Sequence, residues 1–193
     1  MKQNIDEYLN KLLSEKEKNQ LEKWTELQCS DIIFESNIDD WSEYTSEFNE
    51  RIIGNKQLVF LIEDEDGEIF GYYFDDIIDE YYSHQNETNN KSFHFNLQSN
   101  GRLNGSMKFE MNEVLTRRRR LLETEYNLYD SGDEILIEIG DIHLNKQQEK
   151  HQSFCHQSNT KFDYHEIKNA LCGKTDNSGG CFTPKRILVI QMK

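Results

Sequence analysis

The sequence predicts an α+β chain, mainly β: an antiparallel β-sandwich flanked by helices, with an extra N-terminal helix. Three observations carry this expectation. Seven or eight short apolar or β-branched runs punctuate the chain, separated by turn signals such as Asp66-Gly67, Asn100-Gly101 and Asn104-Gly105. These runs do not alternate regularly with helical segments, which argues against a parallel doubly wound sheet and for antiparallel layers. Phe, Tyr and Trp make up 11% of the 193 residues, more than a disordered chain carries, so a packed core is expected.

The elements follow in order. Over residues 4–28, Ile5, Tyr8, Leu9, Leu12, Leu13, Leu21, Trp24 and Leu27 recur at three- and four-residue steps, the period of an amphipathic helix. The stripe lapses over 16–20 and is too short for a coiled coil. Residues 1–28 are therefore an N-terminal helix, docked on the rest or used as a dimerising arm, with docking favoured. Residues 29–193 form the main domain. Asp31–Glu35 reads as a short strand. Trp41, Tyr44, Phe48, Ile52 and Ile53 follow at helical spacing and end at Gly54, so a second helix of about fourteen residues is expected. Asp39, Asp40 and Glu43 lie in its first turn, where a helix dipole favours acids.

Leu58–Ile62 and Ile69–Phe74 flank Glu63–Glu68 and read as a β-hairpin, with Gly67 supplying a positive φ at the turn. Asp75–Tyr82 suits a turn of helix, and 83–90 is a polar loop. Ser92–Leu97 alternates cleanly, and Ser106–Met111, Ile135–Ile139 and Arg186–Met192 supply further strands. Residues 112–132 give no clear element, 146–160 read as loop, and His165–Cys172 as a short helix ending at Gly173.

Charge is distributed unevenly. Residues 1–30 carry 5 basic and 6 acidic side chains, residues 31–82 carry 2 and 16, and residues 83–193 carry 15 and 14. The formal charge of −14 therefore resides in one stretch of about fifty residues. That stretch repels phosphate and suits a basic protein partner or a cation. No apolar run approaches the ~20 residues of a spanning helix, and the charged first thirty residues do not read as a secretory signal. Membrane insertion is not expected. The expected compartment is the cytoplasm, with the nucleus as the alternative.

Several chemical readings are open to test. Asp64, Asp66 and Glu68 alternate as cation ligands do, but the EF-hand spacing fails and the flanks are strands, so a charged hairpin tip is the better reading. Cys29, Cys155, Cys172 and Cys181 form no C-x-x-C pair and match no zinc framework, so reduced thiols and no metal or other cofactor are expected. His94 and His143 suit structural positions. No hydrolase, zincin, P-loop or Rossmann motif occurs. Arg117, Arg118, Arg119 and Arg120 form the one concentrated basic patch, usable for nucleic acid, nuclear import or an acidic partner.

Read in order, the strand at 31–35, the turn at Ser36–Trp41, the helix with Phe48, the hairpin with Asp66-Gly67 and Phe70-Gly71, the aromatic strand Ser92–Leu97, the Ile137–Gly140 strand, the Phe154–Phe162 loop and the closing Phe182–Met192 strand resemble the TLDc domain. The match covers roughly residues 24–192. Tyr72 stands where the family has a second hairpin glycine. The resemblance implies a β-sandwich with flanking helices and no established catalytic residues. Its relatives are associated with oxidative-stress protection and with binding the vacuolar proton-ATPase.

The expected function is accordingly a non-catalytic, TLDc-like protein-interaction domain in stress response or proton-ATPase regulation, with a vacuolar proton-ATPase subunit as the partner the resemblance suggests. The candidate contact residues are Asp39, Asp40, Glu43, Asp64, Asp66 and Glu68 on an acidic face spanning 39–80, together with Arg117–Arg120. Self-association through the N-terminal helix is a further expectation. The alternatives are a nucleic-acid-associated regulator using Arg117–Arg120 and a small enzyme using Cys155 or Cys172.

Overall fold

The computed structural model describes residues 5–79, 81, 91–112, 126–147, 152–157, 162–173 and 180–193. Arg117–Arg120 lie outside the described residues. Eleven strands form two sheets among the residues described. The larger sheet contains β1 (Cys29–Glu35), β2 (Lys56–Asp64), β3 (Ile69–Ile77), β4 (Phe93–Gln98), β5 (Met107–Glu110) and β11 (Pro184–Met192), in the order β1-β11-β2-β3-β4-β5. The smaller contains β6 (Tyr126–Leu128), β7 (Ile135–Ile139), β8 (Ile142–Asn145), β9 (Ser153–Cys155) and β10 (Cys181–Phe182), in the order β10-β9-β8-β7-β6. Every neighbouring pair is antiparallel. This is the mainly β, antiparallel sandwich that the sequence predicts.

The larger sheet is covered on both faces, which explains why its central strands are continuous apolar runs instead of alternating ones. On β2, Leu58, Phe60 and Ile62 join the core between the sheets, with Phe70, Tyr72, Phe74, Ile137, Ile139 and Ile142. Val59 and Leu61 join a second cluster with Phe93, Phe95, Leu188 and Ile190, roofed by Leu9, Leu13 and Leu21. The N-terminal segment thus docks on the outer face of the larger sheet. Trp24 packs against Phe93 and Phe95, with ring centroids 6.2 and 6.3 Å away.

That segment is two helices, α1 (Ile5–Leu12) and α2 (Glu15–Thr25), where the periodicity predicts one. The break is a capping box: Ser14 Oγ accepts the Glu17 N–H while Glu17 Oε2 accepts the Ser14 N–H. Restarting at Ser14 lets Leu21 reach the sheet across the apolar gap. The second predicted helix shrinks to α3 (Phe48–Ile52). Residues 41–46 are drawn into loop contacts instead, the Trp41 carbonyl accepting the Gln147 N–H and the Glu43 carbonyl the Gly132 N–H.

Three further expectations are corrected. Asp75–Ile77 continue β3, because the Asp75 N–H is taken by Ser92 Oγ at 3.0 Å across to β4. His165–Cys172 is a run of turns: His165, Glu166 and Asn169 adopt left-handed φ of 52°, 62° and 51°, incompatible with a right-handed helix. The stretch 146–160, read as loop, carries β9, which is three residues long.

Gly71 sits in the middle of β3 for a packing reason. A Cβ there would lie 1.9 Å from the Phe60 carbonyl oxygen and 2.8 Å from the Phe95 ring. The bare backbone lets the ring of the next strand lie across it.

Candidate functional site

The acidic stretch 31–82 does not form one wall. β2 is nine residues long, about 30 Å at strand rise. Asp64, Asp66 and Glu68 close its far end, while Asp39 and Asp40 follow β1, whose last residue Glu35 pairs with Leu188 of β11 and so lies level with Leu61 of β2, two strands away. The candidate acids over 39–80 fall in two clusters, one closing the β2–β3 turn and one in the loop between β1 and α3.

At the hairpin end, two of the three candidate acids point inward. Asp64 is 1% exposed and Glu68 is 7% exposed. Asp64 Oδ1 accepts the N–H groups of Asp66 and Glu68 at 3.0 and 2.9 Å, closing the turn from within. Its Oδ2 is buried with no hydrogen-bond partner, and burial raises its carboxyl above the ordinary range. Glu68 is gripped by Arg102, whose Nη2 is 2.6 Å from Oε2 and Nε 3.2 Å from Oε1. Arg102 also donates to the carbonyls of Asn169 and Leu171. The expectation that Asp64 and Glu68 face a partner is corrected, since both are internal struts. Asp66 and Glu65 remain exposed at the tip.

Asp39 and Asp40 organise the loop between β1 and α3. Asp39 accepts the Glu35 N–H at 2.8 Å and pairs with Arg51 at 2.8 Å. Asp40 accepts the Ser42 N–H at 2.9 Å and the Thr45 hydroxyl. These bonds hold its carboxyl below the usual range, Thr45 contributing most. The Glu43 carbonyl and the Asp130 carbonyl both accept from the ammonium of Lys146, which is 3% exposed. Burial lowers the Lys146 amine from its ordinary value. Ser131 Oγ donates to the Tyr44 carbonyl, and Ser42 bridges to Gln147. Loops 36–47, 129–134 and 145–147 are thus laced into one ordered surface.

That surface carries exposed apolar groups. Ile38 is 69% exposed and Tyr44 is 70% exposed. Asp130, Asp133 and Glu134 are exposed beside the lacing. A large aromatic and a β-branched residue held in water by an ordered loop, among acids, have no role in the fold's own packing.

Between the sheets lies a polar network that the alternation of β4 hints at but inverts. Phe93, Phe95 and Leu97 face outward under the N-terminal helices, and His94 and Asn96 face the inter-sheet core, both fully buried. His94 Nε2 accepts the Asp141 N–H at 3.0 Å, and Nδ1 lies 3.3 Å from the Gly71 carbonyl, which fixes the Nδ1–H tautomer. Tyr164 donates to Asp141 Oδ2 at 2.8 Å. Gly140, at φ 56°, admits this contact: a Cβ would fall 2.4 Å from His94 Nε2. Asn96 donates to the Leu171 carbonyl at 2.9 Å.

Cys155 and Cys172 are buried beside this network. Burial pushes the Cys155 thiol well above its ordinary value, the opposite of an activated nucleophile. Burial likewise pushes Cys29 up to about 12. Among the described residues, no group of three His, Cys, Asp or Glu is placed to hold a metal ion. No helix among them is long and apolar enough to cross a membrane.

Sequence reasoning missed Arg102, Lys146, Ile38 and Tyr44. Arg102 had one signal, a lone basic residue between two Asn-Gly turns. Tyr44 misled by falling on helical spacing. A scan against protein-family models finds no match for this chain, and a search of curated proteins finds none.

Proposed function

We propose that this chain is a non-catalytic protein-interaction domain whose contact surface is the one built by loops 36–47 and 129–134. One observation carries the reading: Tyr44 and Ile38 stand exposed on an ordered, acid-rich surface that the fold does not need for its own core. The partner that fits is a protein with a basic rim and apolar pockets. The order of elements, which resembles the TLDc domain, supports the same class of function and suggests a stress-response partner or a vacuolar proton-ATPase subunit. The alternative readings draw less support. The buried Cys155, its thiol raised by burial, does not suit an enzyme's activated nucleophile in the folded state, and the described acidic surfaces do not suit nucleic acid.

The test places a photo-crosslinking side chain at position 44 and, in a second sample, at position 66 of the full chain in cells. Crosslinks to a discrete protein from position 44 and not from position 66 are expected. The double variant Tyr44→Arg, Ile38→Arg should lose capture of that protein while keeping its thermal midpoint. Retained capture by the variant removes this surface from the reading.

A further inference from the structure

Two of the four cysteines meet inside the core, at a point where three separate segments converge. Cys155 ends β9, Cys172 lies in the turns before Gly173, and Gly180 leads into β10. The Gly180 carbonyl accepts both the Cys155 N–H at 3.1 Å and the Cys172 thiol at 3.0 Å. The Cys155 sulfur in turn accepts the Cys172 backbone N–H and shares a hydrogen bond with the Cys172 thiol. Gly180 has no room for a side chain here, since a Cβ would sit 2.8 Å from the Cys155 carbonyl oxygen and 3.6 Å from Cys172 Sγ. The two cysteines therefore lie side by side around one carbonyl, 6% and 2% exposed at residue level.

We propose that Cys155 and Cys172 are a redox-active dithiol that closes to an intramolecular disulfide. The oxidant belongs to the class of small disulfides, such as oxidised glutathione. A cysteine thiolate attacks the oxidant's disulfide, releasing one small thiol and leaving a mixed disulfide on the protein. The second cysteine displaces the other small thiol. Two protein thiols become one disulfide, one small disulfide becomes two small thiols, and protons and electrons balance. Because both cysteines already share the Gly180 carbonyl, closing the ~2.05 Å bond calls for a local side-chain shift.

Burial sets the rate. Attack requires local opening, and β10 offers a route because it is two residues long and pairs with β9 at just two positions. The thiols of Cys29 and Cys181 are not part of the pair. Cys29 lies under the N-terminal helices, in the other core cluster. Cys181 is a strand neighbour of Phe154.

The bond would tie β9 to the segment whose Leu171 carbonyl is held by Asn96 and Arg102. Oxidation therefore fastens the smaller sheet to the hairpin end of the larger one. Closing this loop is expected to raise the thermal midpoint by about 6–12 °C.

The full folded chain is equilibrated across oxidised-to-reduced glutathione ratios, acid-quenched, alkylated and mapped by mass spectrometry. Loss of two hydrogens, a Cys155–Cys172 linked peptide, and reversal by dithiothreitol are expected. The Cys155→Ala and Cys172→Ala variants should each lose the linkage, and Cys29→Ala and Cys181→Ala should keep it. The wild-type map alone decides the matter if an alanine variant does not fold. A dithiol that persists at every ratio, a dominant Cys172–Cys181 link, a stable glutathione adduct, or a linkage that forms only in urea would each overturn the proposal.

Discussion

Glu68 and Arg102 form a two-pronged ion pair, with Nη2 to Oε2 at 2.6 Å and Nε to Oε1 at 3.2 Å, at a side-chain exposure of 9% and 24%. The pair joins the β2–β3 turn to the segment 169–173, because the same guanidinium also serves two carbonyls there. Arg102→Ala should cost about 2–4 kcal/mol, since it strands a largely buried carboxylate. The double variant Glu68→Gln, Arg102→Met should recover part of that loss. Gly173, at φ 70°, leaves space for the pair, and a Cβ would fall 2.5 Å from Glu68 Oε1. Gly173→Ala should therefore destabilise the fold through the same contact. Urea titrations of the variants check all three, and an Arg102→Ala loss within the ±0.5 kcal/mol of an ordinary surface change would contradict the pairing.

Asp64 makes an opposite contribution at neutral pH. Its Oδ1 closes the turn, but its ionised form is disfavoured because Oδ2 is buried without a partner. Its folded value lies above the unfolded carboxyl value of about 3.9. The folded state therefore binds the proton more readily. The penalty is full above the folded value and disappears as pH falls through it toward about 3.9. Asp64→Asn keeps an oxygen for both N–H groups and removes the charge. It should match or exceed wild-type stability near pH 7 and lose that advantage at pH 4. Asp64→Ala should cost about 1–3 kcal/mol by releasing two turn N–H groups. Thermal melts at both pH values compare them.

His143 gives the reverse pH dependence. Its Nδ1 lies 2.9 Å from Glu138, which favours the imidazolium, and its ring stacks on Phe154 at 4.2 Å. Burial outweighs the carboxylate and lowers its value below the ordinary one. The unfolded chain thus takes up the proton first. Stability is lost as pH falls through about 6.5, and is unaffected by this group above it. His143→Gln should flatten that part of the pH–stability curve, and an unchanged slope between pH 7 and 5.5 would count against it.

Lys146 is the pin under the proposed contact surface. Lys146→Met should lower stability by about 1–3 kcal/mol by removing the donor to the Glu43 and Asp130 carbonyls. Hydrogen exchange should quicken at Gly132 and Gln147, whose N–H groups share the lacing, and stay unchanged at Ile62 in the centre of β2. Uniform acceleration across the molecule would instead mean a global loss.

The sequence by itself determined the layers. Continuous runs such as Leu58–Ile62 and Leu188–Ile190 require cover on both faces, and Asp66-Gly67 requires a tight reversal, so an antiparallel sandwich with docked helices follows from local chemistry. It located most strands but did not single out β6, β8, β9 and β10, because strands of two to four residues have too few side chains to show a period. Only the tertiary structure decided which acids face water. Asp64, Glu65, Asp66 and Glu68 are near neighbours and chemically alike, yet Glu68 is a strut because Arg102, more than thirty residues away, grips it, and Asp64 because it turns inward to close the hairpin. It also turned His94 and Asn96 inward, where Asp141 and Leu171 supply their bonds. Burial of a polar group is set by partners distant in the chain, and alternation along a strand states only that neighbours face opposite ways.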